Sequence, residues 1–429
     1  MTDWKEQKEA FVSGHEGTTP VELLLIASTV PIGWYCYTAL PKSIFTEVSA
    51  WIVPMIICQS EWLYPHGILL LLVQVVVTFV TRFKSPPSSD LTSNNTQHAT
   101  ITVFRSGLMY LTIIAILAVD FRLFPRRFCK TEVKGYSLMD LGAASFVVAA
   151  GLVSPKARHG TTPKATPRMN WKRILPLLFM GLLRLLTHKG LEYPEHASEY
   201  GVHWNFFCTL AFLTMVAPFL PGPTCSIPVV IMACYQYVLS QHLQEWVENA
   251  PRTCTPGEVC WSLFVANREG ILGCLGYTSL YLASEFLAHH FFWKNKRLLE
   301  VTVVLGLLWS LLAYLGVPVS RRTTNASYCV WVLFVCFIQL TCIDYVSTHS
   351  KSLAAPKLIH LVNRNGLVTF VVANLMTGLV NLSVNTLEVD HSAAFLLLTL
   401  YMTVVLLIVF AIDRIMDAAG IRTTQKKIE

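Results

Sequence analysis

Two residues that could do acid–base chemistry, Asp120 and Lys130, lie in a charged stretch between two apolar runs. The first run ends at Val119, and the second begins near Ser137. Burial raises the pKa of a carboxylate and a nearby cation lowers it, so a carboxylate at a membrane boundary can act as a base near neutral pH. A lysine beside it could orient the carboxylate or stabilise an oxyanion. An ion pair that only anchors a turn would show the same spacing, and the residues leave both interpretations open.

Other polar residues compete for a functional role. Asp140, a carboxylate at the start of the second apolar run, either joins the same site or simply hydrogen-bonds to its neighbours. His203 is one residue removed from Asn205 and could be a base held by that amide, although helix positions two apart diverge by about 200°. Trp204 and its aromatic neighbours also fit the girdle expected at a membrane interface.

Two asparagine-containing groups lie further along the chain. Asn267 and Arg268 open another apolar run, where an arginine beside a helix N-terminus could hold a phosphate. Asn374, Asn381 and Asn385 give a late apolar run a polar face, which we interpret as helix-packing contacts rather than catalysis. The Cys and His spacings are not those of a zinc site, so we expect no metal and no bound cofactor.

The composition indicates the class of protein. Hydrophobic residues make up 53% of the chain, charged residues only 14%, and the mean hydropathy is +0.50. A soluble domain would carry roughly 25% charged residues, so we predict a polytopic membrane protein. The net charge of +7 is modest and spread over the loops. It favours anionic lipid headgroups over nucleic acid, so the expected partner is the lipid bilayer.

The hydropathy pattern predicts an all-α protein with about 13 transmembrane helices in one bundle, each needing roughly 17–25 residues to cross. The loops are too short for a soluble domain, so residues 1–429 are predicted to form a single transmembrane domain. The Lys and Arg bias favours a lumenal segment 1–19 and a cytosolic tail 414–429. The stretch around Asp120 is then lumenal, although it is rich in Lys and Arg, which the bias places on the cytosolic side. This exception suggests that its cations have a functional role.

The end of the chain predicts a location. Lys426 and Lys427 form a KKxx tail, which is a signal for return to the endoplasmic reticulum when it faces the cytosol. A basic tail in solvent is the alternative. Cys254 and Cys260 lie in the longest predicted lumenal loop, where a disulfide or two free thiols fit equally well.

The run LAVDFRLFPRRFCKTEVKGYSLMDLG, residues 117–142, resembles the signature of the inositol acyltransferases of GPI-anchor biosynthesis, the PIG-W family. Further resemblance is found at Lys8–Ser13 with Gly17–Thr19, at EYGVHWNFF from Glu199 to Phe207, and at Asn267–Gly270. The resemblance extends over the whole chain. Glu16 departs from it, since the family pattern has Asn before Gly17.

The resemblance implies transfer of a fatty acyl group, usually palmitoyl, from acyl-CoA to the inositol 2-hydroxyl of glucosaminyl-phosphatidylinositol. The family's catalytic Asp and Lys map onto Asp120 and Lys130, in agreement with the roles argued from the residues. Our hypothesis is that Asp120 takes the inositol proton, while Lys130 orients Asp120 or stabilises the oxyanion. Cys129, beside Lys130, has to be excluded as a nucleophile.

Substrate contacts are predicted at three groups of residues. The first group serves the phosphates of CoA or of the lipid and consists of Arg126, Arg127 and Lys134, with Asp140 nearby. The second group serves the headgroup of the acceptor and consists of His203, Trp204 and Asn205. The third group consists of Asn267 and Arg268, where the arginine could hold a phosphate.

Two other classes of protein would share these features. A lipid transporter or scramblase would also carry intramembrane charges, and it would bind without consuming a thioester. A non-catalytic assembly subunit would tolerate Asp120→Asn. Within the enzymes, the rival is a membrane-bound acyltransferase with His203 as its base. The oligomeric state stays open.

Overall fold

The computed structural model describes residues 11, 14–83, 93–160, 169–190, 200–252, 259–294, 297–350 and 356–420. Every regular element in these ranges is helical, which confirms the all-α prediction. The KKxx tail, most of the N-terminal segment, Cys254 and the side chain of Cys260 lie outside the described residues. The predictions made for them stay predictions.

The helices account for most of the described chain. Short π-helical turns occupy Val48–Ile52, Leu63–Gly67, Leu239–Leu243 and Ala288–Lys294, and 3₁₀ turns occupy Arg126–Phe128 and Ala217–Phe219. In chain order the α-helices are α1 (Pro20–Ala27), α2 (Thr29–Ala39), α3 (Ile44–Glu47), α4 (Val53–Cys58), α5 (Ile68–Phe83), α6 (Ser93–Ala118), α7 (Leu138–Leu152), α8 (Pro155–His159), α9 (Trp171–Gly190), α10 (Phe206–Val216), α11 (Ser226–Val238), α12 (Gln244–Asn249), α13 (Val259–Ala266), α14 (Arg268–Leu287), α15 (Leu298–Tyr314), α16 (Ala326–Thr348), α17 (Lys357–Arg364), α18 (Gly366–Ser383) and α19 (His391–Ala418).

Seven helical segments of the described ranges are long and apolar enough to cross a membrane, so the chain is a multi-pass membrane protein. Four shorter apolar helices accompany them, and the count of about 13 spans stays a prediction. The seven are Pro20–Ala39, Leu63–Thr81, Thr96–Ala118, Arg268–Lys294, Ala326–Thr348, Gly366–Ser383 and His391–Ala418.

The chain divides into two compact units. The first unit contains residues 129–338 together with the described residues of the range 1–18. The second unit contains residues 19–128 and 339–429, as far as these are described. The prediction of a single domain stays a prediction.

The second unit is packed through close helix contacts and buried aromatic rings. A Cβ added to Gly107 of α6 would lie 2.4 Å from Cγ1 of Val30 in α2, so only glycine permits this approach. Trp34 and Trp51 are buried and stacked, with ring centroids 6.5 Å apart. The indole nitrogen of Trp34 donates to Ser347 Oγ at 2.9 Å, which satisfies the polar edge of the ring inside the core.

The first unit is built around the contact of α7 with α14. A Cβ on Gly151 would lie 2.7 Å from the carbonyl oxygen of Tyr281, so small residues bring these two helices together. Helix α7 begins where the Ser137 hydroxyl accepts the backbone N–H of Asp140 at 3.1 Å. This cap fixes where the charged stretch ends and the apolar helix starts.

Candidate functional site

Asp120 lies just beyond the C-terminus of α6, in the second unit, and its side chain is buried. The side-chain amide of Asn381, near the end of α18, donates to Asp120 Oδ2 with a nitrogen–oxygen distance of 2.7 Å. Hydrogen bonds to an ionised carboxylate are among the stronger ones in proteins. Asn381 therefore fixes the orientation of the carboxylate on which the predicted chemistry depends.

Arg126 stabilises the turn that carries Asp120. Its guanidinium donates to the carbonyl oxygens of Val119 at 2.9 Å, Phe121 at 2.9 Å and Phe124 at 2.7 Å. These three carbonyls lie in the turn that follows α6, so the guanidinium holds that turn together. The structure thus gives Arg126 a positioning role, while its predicted contact with a phosphate stays a prediction.

Arg127 forms a second anchor in the same unit. Its guanidinium lies 3.0 Å from Glu22 Oε1 and 3.6 Å from Glu61 Oε2. Burial lowers the pKa of Arg127, but the hydrogen bond and charge of Glu22 and the charge of Glu61 outweigh this effect and leave it above the ordinary value. Arg127 is therefore held by carboxylates, and a phosphate would have to compete with them.

Lys130 belongs to the first unit and is half-buried. The next residue, Thr131, donates to Asp140 Oδ2 through its backbone N–H at 3.2 Å and its hydroxyl at 2.7 Å. Arg321 lies 2.6 Å from the other carboxylate oxygen of Asp140, and both charged side chains are buried. The Asp140–Arg321 ion pair thus fixes the segment that carries Lys130.

The rest of this segment is tied to the residues preceding α16. Gly135 donates its N–H to the carbonyl of Val319 at 2.9 Å, and the Ser320 hydroxyl donates to the carbonyl of Val133 at 3.0 Å. Gly135 has a φ of 134°, a conformation that a residue with a side chain rarely adopts. Lys134 is exposed, and its phosphate contact stays a prediction.

The two polar groups predicted separately around residues 203 and 267 come together in the first unit. Asn267 Oδ1 accepts the backbone N–H of His203 at 2.7 Å. A Cβ on Gly270 would lie 2.2 Å from the ring of Trp204, so the indole packs directly on the start of α14. Asn205 caps α10 by accepting two backbone N–H groups. The sequence suggested the Asn205 amide as a partner of the His203 ring, whereas in the structure it caps the N-terminus of α10.

Arg268 and Glu269 form a buried cluster of charges in the first unit. Glu269 lies 2.5 Å from Arg252 and 3.0 Å from Arg322, and its side chain is fully buried. Arg268 is also buried and donates to three carbonyl oxygens, those of Val247, Ala250 and Pro251. Its donors are used within the protein, and its predicted contact with a phosphate stays a prediction.

The proposed catalytic residues fall in different units, Asp120 in the second and Lys130 in the first. Their pairing therefore stays a prediction from the sequence. Two residues that position them were missed by sequence reasoning: Asn381 was interpreted as a packing residue, and Arg321 was not singled out. Among the described residues, no group of three or more His, Cys, Asp or Glu could hold a metal ion.

Comparison with known proteins identifies the family. The model of the GWT1 family matches residues 4–412. The GPI-anchored wall transfer protein 1 of Gibberella zeae is 32% identical, over 96% of this chain and 97% of its own. The protein of that name from Schizosaccharomyces pombe is also 32% identical, over 94% of this chain and 96% of its own. An uncharacterized protein of Arabidopsis thaliana is 35% identical over 80% of each chain. These matches confirm the resemblance found in the sequence, and the chain belongs to the GWT1 (PIG-W) family.

Proposed function

We propose that this protein is a membrane-bound O-acyltransferase of GPI-anchor biosynthesis. It moves a fatty acyl group, usually palmitoyl, from acyl-CoA to the inositol 2-hydroxyl of glucosaminyl-phosphatidylinositol. Membership of the GWT1 family supports a role in inositol acylation, and the apolar helices support a reaction at the bilayer. The family's role in GPI-anchor biosynthesis supports the endoplasmic reticulum membrane as its location.

The observation that carries the proposal is the buried carboxylate of Asp120, oriented by Asn381 where α6 ends. A general base must be held within hydrogen-bond reach of the proton that it removes. An orienting amide reduces the number of positions that the carboxylate can take, which favours proton transfer in one geometry.

The proposed step needs no covalent acyl-enzyme. Asp120 takes the proton of the inositol 2-hydroxyl, whose oxygen attacks the thioester carbonyl and forms the new C–O bond. The C–S bond then breaks, and the CoA thiolate leaves and takes up the proton. Lys130 orients Asp120 or stabilises the oxyanion of the tetrahedral intermediate, a role that rests on its position in the sequence. Cys129 is buried, which argues against a role as the nucleophile.

The test is transfer of labelled acyl from acyl-CoA to glucosaminyl-phosphatidylinositol by the purified protein. Asp120→Asn should remain folded and lose about 10²- to 10⁴-fold in rate, since general-base catalysis contributes that much. Asp417→Asn, a partly exposed carboxylate of the same unit at the end of α19, is the matched control and should keep wild-type activity.

Other outcomes would point to the alternatives. Wild-type rates in Asp120→Asn together with loss of activity in His203→Ala would favour a histidine base. A folded wild-type protein that consumes no thioester under conditions in which another inositol acyltransferase does would favour a transporter or an assembly subunit.

A further inference from the structure

Three arginines meet a single carboxylate oxygen in the first unit. Glu269 Oε1 lies 2.5 Å from Arg252 and 3.0 Å from Arg322. Arg268 lies 3.8 Å from the same oxygen, and the Glu269 side chain is fully buried. Like charges this close repel each other, and burial strengthens the repulsion because water screens it less. These four side chains therefore carry more positive charge than one carboxylate balances.

Two of the three arginines are engaged inside the protein. Arg252 forms a bidentate pair with Glu269, because its Nη1 also lies 3.1 Å from Oε2. Arg268 is 1% exposed and lies over the ring of Trp246, 5.1 Å from its centroid. The Arg268 guanidinium donates to carbonyl oxygens in and just after the last turn of α12. Arg322 is the remaining cation of the cluster.

Arg322 is held along one edge of its guanidinium and is open along the other. Its Nε and Nη2 donate to Glu269 Oε1 at 3.3 and 3.0 Å, and Nη2 also donates to the carbonyl of Val247 at 3.2 Å. Its Nη1 donates no hydrogen bond within the described part of the chain. This nitrogen is not among the fully buried atoms that lack a partner, and the side chain is 11% exposed. A ligand can therefore reach a nitrogen whose orientation is already fixed.

The position of Arg322 indicates which anion is available. The segment Arg268–Lys294 begins at the cluster, and the segment Ala326–Thr348 begins four residues after Arg322. Both segments are long and apolar enough to cross a membrane. The ends of such segments lie at the level of the lipid headgroups, where phosphates supply negative charge. A guanidinium matches the oxygens of a phosphate in both charge and geometry.

We propose that Arg322 binds a phosphate group at the level of the lipid headgroups, through its Nη1. Glu269 fixes the guanidinium, and Arg252 neutralises Glu269, so the positive charge of Arg322 is left for the ligand. Free phosphate offers the same chemistry as a headgroup, and the tests separate the two sources. The site is independent of the proposed reaction, in which Arg322 has no part.

The first test measures lipid binding to the purified full-length protein in phosphate-free buffer and an uncharged detergent. The probe is dioctanoyl phosphatidylglycerol, which carries a phosphodiester and no inositol ring. Dioctanoylglycerol, with the same acyl chains and no phosphate, is the reference lipid. Arg322→Gln should weaken binding of the phospholipid about 10- to 150-fold, because it removes a charge-assisted hydrogen bond. Binding of dioctanoylglycerol should not change.

Two further variants distinguish charge from folding. Arg322→Lys keeps the charge and loses the planar fork, so its affinity should lie between those of the wild type and Arg322→Gln. Arg297→Gln is the matched control, because Arg297 is 63% exposed and pairs with the equally exposed Glu300. It should bind the phospholipid as the wild type does. Without lipid, Arg322→Gln should unfold near the wild-type temperature, since Glu269 keeps its bidentate partner Arg252.

Inorganic phosphate is the second probe and identifies the source of the anion. Displacement of the phospholipid by inorganic phosphate would support recognition of the phosphate of a headgroup. Binding of inorganic phosphate that depends on Arg322, without binding of the phospholipid, would support the site with free phosphate as its ligand. No acyl-CoA is present, so neither result depends on the proposed reaction.

Two results would overturn the site. One is equal affinity of the wild type, Arg322→Gln and Arg322→Lys for both phosphate probes. The other is an equal loss of affinity for the phospholipid and for dioctanoylglycerol, which would show that Arg322 acts through the fold. The three arginines would then only hold α12 against the start of α14. If Arg322→Gln does not fold, the affinity of Arg322→Lys decides between these results and the proposal.

Discussion

Replacing Arg321 by methionine should strongly destabilise the protein. Arg321 and Asp140 form an ion pair at 2.6 Å, with side chains only 6% and 1% exposed. Methionine fills a similar volume but leaves a buried carboxylate without its cation. Removing one partner of a buried ion pair costs about 3–5 kcal/mol, much more than removing one from an exposed pair.

The remaining contacts set the size of the effect. Thr131 still donates two hydrogen bonds to Asp140, so the cost should fall toward the lower end of that range. The double variant Asp140→Asn/Arg321→Met removes both charges and keeps an oxygen for Thr131. We expect it to recover most of the loss and to remain about 1 kcal/mol below the wild type, which is the value of a typical hydrogen bond.

The assay is equilibrium unfolding in mixed micelles, with Arg297→Met as the matched control. Arg297 pairs with Glu300 at 3.7 Å, and both side chains are 63% exposed, so its loss should cost less than about 1 kcal/mol. Two results would refute the argument that burial makes the loss of Arg321 so costly to stability. One is equal destabilisation by Arg297→Met and Arg321→Met, and the other is a double variant that is less stable than Arg321→Met.

Three further predictions concern catalysis, packing and pH. Asn381→Leu removes the donor to Asp120 and should lower kcat by about 10- to 150-fold in acyl-transfer assays, since a hydrogen bond to a charged group is worth about 1.5–3 kcal/mol. Gly107→Ala places a Cβ against Val30 and should lower the free energy of unfolding by about 1–3 kcal/mol in micelle titrations. Burial lowers the pKa of Lys156, and the charge of Glu285 opposes this effect only in part. The folded protein is therefore less stable when Lys156 is protonated than when it is neutral. As the pH rises from this lowered pKa toward the ordinary value of 10.5, the wild type should gain stability relative to Lys156→Met in thermal unfolding.

Each of these predictions has a control or a contrary result. Gly378→Ala is the control for packing, because nothing lies within 4 Å of its added Cβ and alanine favours a helix by up to about 1 kcal/mol. A rate in Asn381→Leu equal to that of the wild type would show that Asp120 needs no orienting amide. A stability difference between Lys156→Met and the wild type that does not change with pH would contradict the effect of burial.

The class of protein could be predicted from composition, because a chain this apolar must form hydrogen-bonded helices in a bilayer. The charged stretch and its carboxylates could also be identified from the sequence, because charged residues are rare in so apolar a chain. The start of α7 follows from a local pattern, a Ser that caps a helix three residues before Asp140.

The partners of the site residues could not be predicted, because they lie far away in the sequence. Asn381 is 261 positions from Asp120, and no periodicity links them. An asparagine on an apolar helix is typical of helix packing, so its type alone gave no signal for a role beside a carboxylate. Asn205 shows the opposite case: its spacing from His203 suggested chemistry, whereas a helix begins there and the amide caps it.

The most direct test of the central claim is the chemical identity of the product made by the purified wild-type protein. The lipid should carry a base-labile acyl ester and resist phospholipases that use the inositol 2-hydroxyl as the internal nucleophile for cleavage. Acyl transfer to a lipid that these enzymes still cleave would place the ester elsewhere on the headgroup. Such a product would contradict acylation of the inositol 2-hydroxyl.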